Sequence, residues 1–175
     1  MGSRHDDTLV IGHAASGKSL WAEGEVLRMA SGGLPPVYVA TAEILDEEMR
    51  AKAARHAARR GSEWCLVETP YDLAAACMER AADEVVLVDC ATMWLTRLLI
   101  SGGDWQVLAD AWIAAMNAAS ARFVVVTNDV GGGIVPSNDL ARRFQTAQGD
   151  LNQRLARAMG RVVLVTAGLP LWLKE

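Results

Sequence analysis

The chain has 175 residues, 51% of them hydrophobic and 22% charged, and a formal net charge of -4. That length suits one compact domain with a real core, and the balance excludes a disordered chain. Net acidity argues against a general nucleic-acid binder, so any anionic ligand has to be held by local groups rather than by the overall field.

Apolar bursts alternate with helical patterns along the chain. Residues 1–7 are polar, read as a flexible tail, and show no secretory signal. Thr8-Leu9-Val10-Ile11 reads as a buried strand closed by Gly12. A helix is expected over Lys18–Ala30, stopped by Ser31-Gly32-Gly33 and Pro35-Pro36. Val37–Ala40 reads as a strand, residues 45–60 as a helix ending at Gly61, residues 64–67 as a short strand and residues 71–82 as a helix. Val85-Val86-Leu87-Val88 is a strongly apolar strand. Helices follow over residues 92–100 and 104–120, separated by Gly102-Gly103. Residues 123–127 read as a strand, 138–159 as a helix and 162–165 as the last clear strand.

Short Val-rich strands separated by helices imply crossover connections and a mainly parallel sheet covered on both faces, an α/β fold. With no repeat, low-complexity tract or linker, residues 1–175 are expected to form a single domain. The most apolar region, residues 85–100, contains Asp89, Thr92, Thr96 and Arg97 and is a poor membrane span, so a cytoplasmic protein is expected. The three cysteines, Cys65, Cys77 and Cys90, form no CxxC pair. A disulfide framework or zinc site is not expected, and each is read as a small buried hydrophobe. Residues 128–137 form an unusual loop with three consecutive glycines, too apolar at Val130, Ile134 and Val135 for a solvated linker. Such a run is costly to order unless the backbone must approach something closely. The loop is therefore expected at the active site, or at a subunit interface touching it.

The stretch Gly12-His13-Ala14-Ala15-Ser16-Gly17-Lys18-Ser19 matches G-x-x-x-x-G-K-S between a strand and a helix, where the phosphate-binding mechanism requires it. Gly12 and Gly17 permit turns that a side chain would obstruct. The loop N–H groups and the positive end of the following helix then converge on phosphate oxygens of ATP or GTP. Lys18 can reach the β- and γ-phosphates, and Ser19 can ligate Mg2+. Asp89 ends an apolar strand, where a carboxylate in such proteins holds Mg2+ directly or through water. The competing reading makes Asp89 the N-cap of the helix that follows.

Within the helix expected over residues 45–60, Lys52, Arg55, His56, Arg59 and Arg60 share one face. One reading is a solvated surface with its charges ordered to suit the macrodipole. The sharper reading is a phosphate-facing surface, on which neighbouring cations keep the His56 imidazole neutral and nucleophilic towards phosphorus. His5 lies in the polar tail. His13 is expected to pack or to face solvent.

These residues resemble the bifunctional adenosylcobinamide kinase/adenosylcobinamide-phosphate guanylyltransferase family of cobalamin biosynthesis. The resemblance runs from Leu9 to Lys174. It includes the loop from Gly12 to Ser19, Tyr38-Val39-Ala40-Thr41-Ala42, Ile44-Leu45-Asp46-Glu47-Glu48-Met49, His56, Trp64, Glu68, Leu87-Val88-Asp89-Cys90 and Trp94-Leu95-Thr96. The most specific stretch is Val126-Thr127-Asn128-Asp129-Val130-Gly131-Gly132-Gly133-Ile134-Val135-Pro136. Leu140-Ala141-Arg142-Arg143-Phe144 and Leu151-Asn152-Gln153-Arg154-Leu155-Ala156 follow it.

The resemblance implies a RecA-like P-loop NTPase sheet flanked by helices, and two reactions. The first moves the γ-phosphoryl group of ATP or GTP to the aminopropanol hydroxyl of adenosylcobinamide. The second moves GMP from GTP to the resulting phosphate through a guanylylated histidine, releasing pyrophosphate. By position His56 matches that histidine. The residues from Gly12 to Ser19, Ala40, Thr41, Ala42, Ala57, Ala58, Arg59, Glu68 and Asp89 match nucleotide-contacting positions. Mg2+, ATP and GTP, a corrinoid substrate and a homo-oligomer, with a trimer as one arrangement, are implied as well. The chain departs from the family pattern at Ala15, where Arg is common, at Asp129 for Glu, at Gly61 for Pro and at Arg97 for Asn. Two other readings stay open at this point: a simple small-molecule kinase with His56 as a surface residue, and a regulatory module that binds nucleotide without transferring it.

Overall fold

A computed structural model describes residues 4–30, 33–43, 47–69, 71–78 and 80–175. In chain order the elements are β1 (Arg4–Gly12), α1 (Lys18–Ala30), β2 (Val37–Ala40), α2 (Glu47–Arg60), β3 (Cys65–Glu68), α3 (Leu73–Met78), β4 (Val85–Asp89), α4 (Ala91–Ser101), α5 (Trp105–Ala118), β5 (Arg122–Asn128), α6 (Asp139–Ala158), β6 (Met159–Thr166) and β7 (Leu169–Lys174). The strands form one seven-stranded sheet in the order β3-β2-β4-β5-β1-β6-β7. Neighbours pair in parallel except β6 with β7, which is antiparallel.

The central strands are apolar because both their faces are covered. Leu9, Val86, Val88 and Val125 pack on one face with Trp94, Trp112, Leu151 and Leu155 of α4, α5 and α6. Val10, Leu87, Val124 and Val126 pack on the other with Ala22 and Val26 of α1. Alternate strand residues thus feed two cores, as the two-residue period demands.

The structure differs from the sequence expectations at four places. Arg4 to Asp7, expected in a tail, extend β1; buried Asp7 accepts a hydrogen bond from Phe123 N at 2.8 Å, which ties this end to the start of β5. The helix expected over residues 71–82 shortens to α3. Asp72 caps its start through Ala75 N at 2.8 Å, and Glu84 accepts from Ala81 N at 2.6 Å to hold a turn instead of a further helical turn. The strand β7 was not expected, since Pro170 inside it argues against a strand; as an edge strand it tolerates the proline. Cys65 is exposed, because β3 is the opposite edge strand, whereas Cys77 and Cys90 are buried. Leu45 and Asp46, expected in a helix, lie outside the described residues. No helix of the described residues is long and apolar enough to cross a membrane.

Candidate functional site

The carboxyl ends of β1, β5 and β4 lie side by side and carry Gly12, Asn128 and Asp89. A Cβ on Gly12 would stand 2.4 Å from Ser16 Oγ and 2.7 Å from the carbonyl oxygen of Val165, so only glycine allows this turn. Gly17 has a φ of +90°, and a Cβ there would stand 3.0 Å from Gly168 Cα. The turn between β6 and β7 braces the loop directly, since Gly168 N donates to Ser16 O at 2.8 Å. Sequence reasoning missed this brace; the Ala167-Gly168 pair, both with positive φ, is the signal of the tight turn that makes it.

Lys18 is half-buried at the start of α1, and its Nζ donates to His13 O at 3.0 Å on the rim of the loop. His13, Ala14 and Ala15 are exposed, and His13 Nδ1 lies 3.0 Å from Asp129 O. Asp129 N donates to Gly12 O at 3.1 Å, fastening the loop after β5 to the phosphate loop. Ser16 Oγ is buried with no hydrogen-bond partner among the described residues. An orphaned hydroxyl beside glycine backbone at a helix N-terminus suits an anionic phosphate group.

Asp89 does not cap α4. The N-cap there is Cys90, with no side-chain cap hydrogen bond. Asp89 Oδ2 instead accepts from Tyr38 Oη at 2.9 Å, which aims a half-buried carboxylate across the sheet. Leu87 and Val10 face α1, so Asp89 and Gly12, each two residues further along, face the same side. Ser19 lies in the first turn of α1 on that side. A hydroxyl and a carboxylate are hard oxygen donors of the kind Mg2+ takes when substrate phosphates and waters complete its shell. Among the described residues no group of three His, Cys, Asp or Glu could hold a metal by itself.

A second group of expected residues gathers at the carboxyl end of β2. Ala40 pairs with both Asp89 and Glu68. Thr41 is buried; its Oγ1 donates to Cys90 O at 2.7 Å and accepts from Cys90 N at 2.8 Å, locking this edge to the start of α4. Ala42 and Glu68 are exposed. Glu43 pairs with Arg97, whose guanidinium carbon lies 5.1 Å from the centre of the Tyr71 ring. The structure thus brings Ala40, Thr41, Glu68 and Asp89 to one edge.

Helix α2 leaves from that edge. Arg55, Ala57 and Ala58 are exposed, whereas His56 is half-buried. The side chains of Lys52, Arg59 and Arg60 lie outside the described ones. Strands β4 and β5 separate β2 from β1, so His56 and Lys18 are delivered by different strands. The loop over residues 128–137 has its root, Asn128 and Asp129, against Gly12, but its glycines are not closely approached, since a Cβ at Gly132 or Gly133 would meet no described atom within 4 Å. Its far end is open, with Ile134 96% and Val135 74% exposed.

A phosphate loop between strand and helix, an acidic residue ending a nearby strand and a largely parallel sheet define a P-loop nucleotide-binding α/β protein. Its fold is similar to that of the flagellar accessory protein FlaH from Methanocaldococcus jannaschii, with a TM-score of 0.54, 12% identity, and coverage of 99% of this chain and 80% of that one. Residues 8–173 match the family described as cobinamide kinase / cobinamide phosphate guanyltransferase. The bifunctional adenosylcobalamin biosynthesis protein CobP of Pseudomonas aeruginosa is 39% identical over 170 residues, covering 95% of this chain and 96% of its own. The proteins of the same description named CobU are 38% identical in Salmonella typhimurium and 37% in Escherichia coli, each covering 95% of this chain and 98% of its own. The chain belongs to this cobinamide kinase/guanyltransferase family.

Proposed function

We propose that the chain catalyses two successive group transfers: phosphorylation of adenosylcobinamide by ATP or GTP, then transfer of GMP from GTP to that phosphate. The observation that carries the reading is a braced phosphate loop in the same chain as a half-buried imidazole on a helix whose other described side chains are exposed.

In the first reaction the N–H groups of residues 13–18 hold the triphosphate, and Lys18 exchanges His13 O for β- and γ-phosphate oxygens. Ser19 and Asp89 would hold Mg2+, which would supply positive charge against the charge that develops on the triphosphate. The acceptor hydroxyl oxygen bonds to the γ-phosphorus, the bond to the bridging oxygen breaks, and the nucleoside diphosphate leaves with that electron pair. In the second reaction a neutral His56 nitrogen bonds to the α-phosphorus of GTP and pyrophosphate departs. An oxygen of adenosylcobinamide phosphate then displaces the histidine, giving adenosylcobinamide-GDP. Ala40, Thr41, Ala42, Ala57, Ala58, Arg59 and Glu68 would line the path of this nucleotide. Homo-oligomer assembly, a trimer being one arrangement, would cover the exposed Ile134 and Val135.

GTP labelled at the α-phosphate, and separately at the γ-phosphate, tests the scheme. The α-label should remain on the chain after denaturation and be lost in mild acid, as expected of a phosphorus–nitrogen bond to imidazole. The γ-label should pass to adenosylcobinamide. A chain that never retains the α-label overturns the second reaction, and one that never passes on the γ-label overturns the first.

A further inference from the structure

Between the phosphate-loop strand and the Asp89 strand lies β5, and its last residue is Asn128. Val126 faces α1 together with Val10 and Leu87, so Asn128, two residues on, faces the same side as Gly12 and Asp89. Asn128 is the register partner of Gly12. Its side-chain Oδ1 is buried and has no hydrogen-bond partner among the described residues.

The main chain at this residue is fixed on both sides. Asn128 N donates to Thr92 Oγ1 at 2.8 Å, and Asn128 O accepts from Asn152 Nδ2 at 3.0 Å. Asn152 is itself held, since its Oδ1 accepts from Thr127 Oγ1 at 2.7 Å and from Gln148 Nε2 at 2.8 Å. Gln148 Nε2 also donates to Thr127 Oγ1 at 3.0 Å, and both Thr127 and Gln148 are fully buried. Gln148 Oε1 has no partner among the described residues, but the bonds that the network makes still tie down what it holds. Here it holds the backbone of one residue whose own side-chain acceptor is left open, and such an orphan in a folded protein needs an explanation.

We propose that Asn128 orients the attacking hydroxyl of the alcohol acceptor in the kinase reaction, through a hydrogen bond from that hydroxyl to Oδ1. The inference rests on the kinase reading given above. The hydroxyl oxygen forms its bond to the γ-phosphorus as the bridging P–O bond breaks, and the electron pair leaves on the nucleoside diphosphate. The hydroxyl proton passes to bulk water after that bond forms; the amide takes no proton. Holding the nucleophile in line is the main protein contribution when the transition state is loose.

The test uses the full chain with adenosylcobinamide and ATP. Asn128→Ala and Asn128→Leu should lower kcat for acceptor phosphorylation by about 10²-fold, the scale for a misplaced nucleophile. The KM for ATP should stay within about two-fold, as expected when an interaction made only at the transition state is lost. Asn128→Asp keeps an acceptor oxygen in the same place and should recover most of the lost rate. Uptake of α-label from GTP alone, which involves no alcohol, should persist in all three variants. The proposal is overturned if kcat is unchanged in the Ala variant. It is also overturned if the Asp variant is as impaired as the Leu variant, or if kcat, ATP affinity and α-label uptake fall together, which marks a structural role. A wild-type chain that phosphorylates no alcohol removes the kinase reading first, and this proposal with it.

Discussion

The phosphate loop and helix α2 belong to one proposed reaction sequence but are built in opposite ways. The loop grows out of a buried strand, runs directly into α1 and is clamped by two segments distant in sequence: β5 through Gly12 and Asp129, and the β6–β7 turn through Gly168. Its ligands for phosphate are mostly main-chain groups, which the packed sheet positions. Helix α2 exposes every described side chain except His56. Its described side chains bury little apolar area, the quantity that fixes most helices in place. Phosphoryl transfer needs charge held still, and the fold supplies it. A covalent nucleophile needs one reactive atom, which a solvated helix can present. Loss of phosphoryl transfer and loss of guanylyl transfer should therefore separate between the two regions.

The largest effect is expected at Lys18. Lys18→Ala removes the charge on the β- and γ-phosphates and should lower acceptor phosphorylation by about 10³-fold or more, with weaker nucleotide binding. In the folded chain its Nζ donates to a loop carbonyl, a bond worth about 1 kcal/mol. Thermal unfolding should therefore shift by a few degrees at most. A variant that turns over normally while folded would remove the loop from the chemistry.

His56→Ala breaks the comparison from the other side. It should abolish retention of α-label from GTP, and with it guanylyl transfer, while acceptor phosphorylation stays within about three-fold. Stability should change by about 1 kcal/mol or less, because the imidazole is only half-buried and the other described side chains of its helix are exposed. If the folded, nucleotide-binding variant loses both reactions, the two regions are not separable and the two-step scheme falls.

Much of the cradle was legible because its determinants are local. Two glycines, a lysine and a serine at fixed spacing between an apolar strand and a helix state the whole loop. The sheet was legible for the same reason, down to Lys18–Ala30 and Val37–Ala40, whose bounds agree with the expectation. What escaped depends on contacts far apart in the chain. Asp89 was locally indistinguishable from a helix cap, and the choice is made by Tyr38, 51 residues away. Asn128 looked like one member of a glycine-rich loop. Its setting is fixed by Thr92, 36 residues earlier, and Asn152, 24 residues later. The polar residues at the start of β1 looked like a tail, because nothing nearby shows that Asp7 meets Phe123 N. The edge strand β7 carries a proline that a central strand would reject.

A smaller effect sharpens the metal side of the cradle. Asp89→Asn keeps an oxygen for Tyr38 but replaces a charged ligand with a neutral one. The Mg2+ concentration needed for half-maximal acceptor phosphorylation should rise about ten-fold, equivalent to about 1.4 kcal/mol of binding. An unchanged Mg2+ titration would assign Asp89 to holding Tyr38 alone.

The smallest effect leaves activity untouched and compares the two regions through their thiols. Cys90 follows Asp89 beside the cradle, Cys77 lies in the core, and Cys65 begins the edge strand just past α2. Burial pushes the thiols of Cys77 and Cys90 up to about 11, so both stay protonated and shielded near neutral pH. A maleimide at pH 7 should therefore modify Cys65 alone in the native chain and all three cysteines in denaturant, read as intact mass. Alkaline pH adds a second reading. In the unfolded chain these two thiols lose protons from about pH 9, but in the native chain only near pH 11, so the unfolded state binds fewer protons between those values. Stability from this source is complete below pH 9 and falls as pH rises towards 11. Urea midpoints should decline over that window, and replacing Cys77 and Cys90 with alanine should flatten the decline while lowering stability at neutral pH. Modification of Cys90 in the native chain at neutral pH would mean that the start of α4 opens, and that the cradle is no more fixed than the α2 edge it is set against.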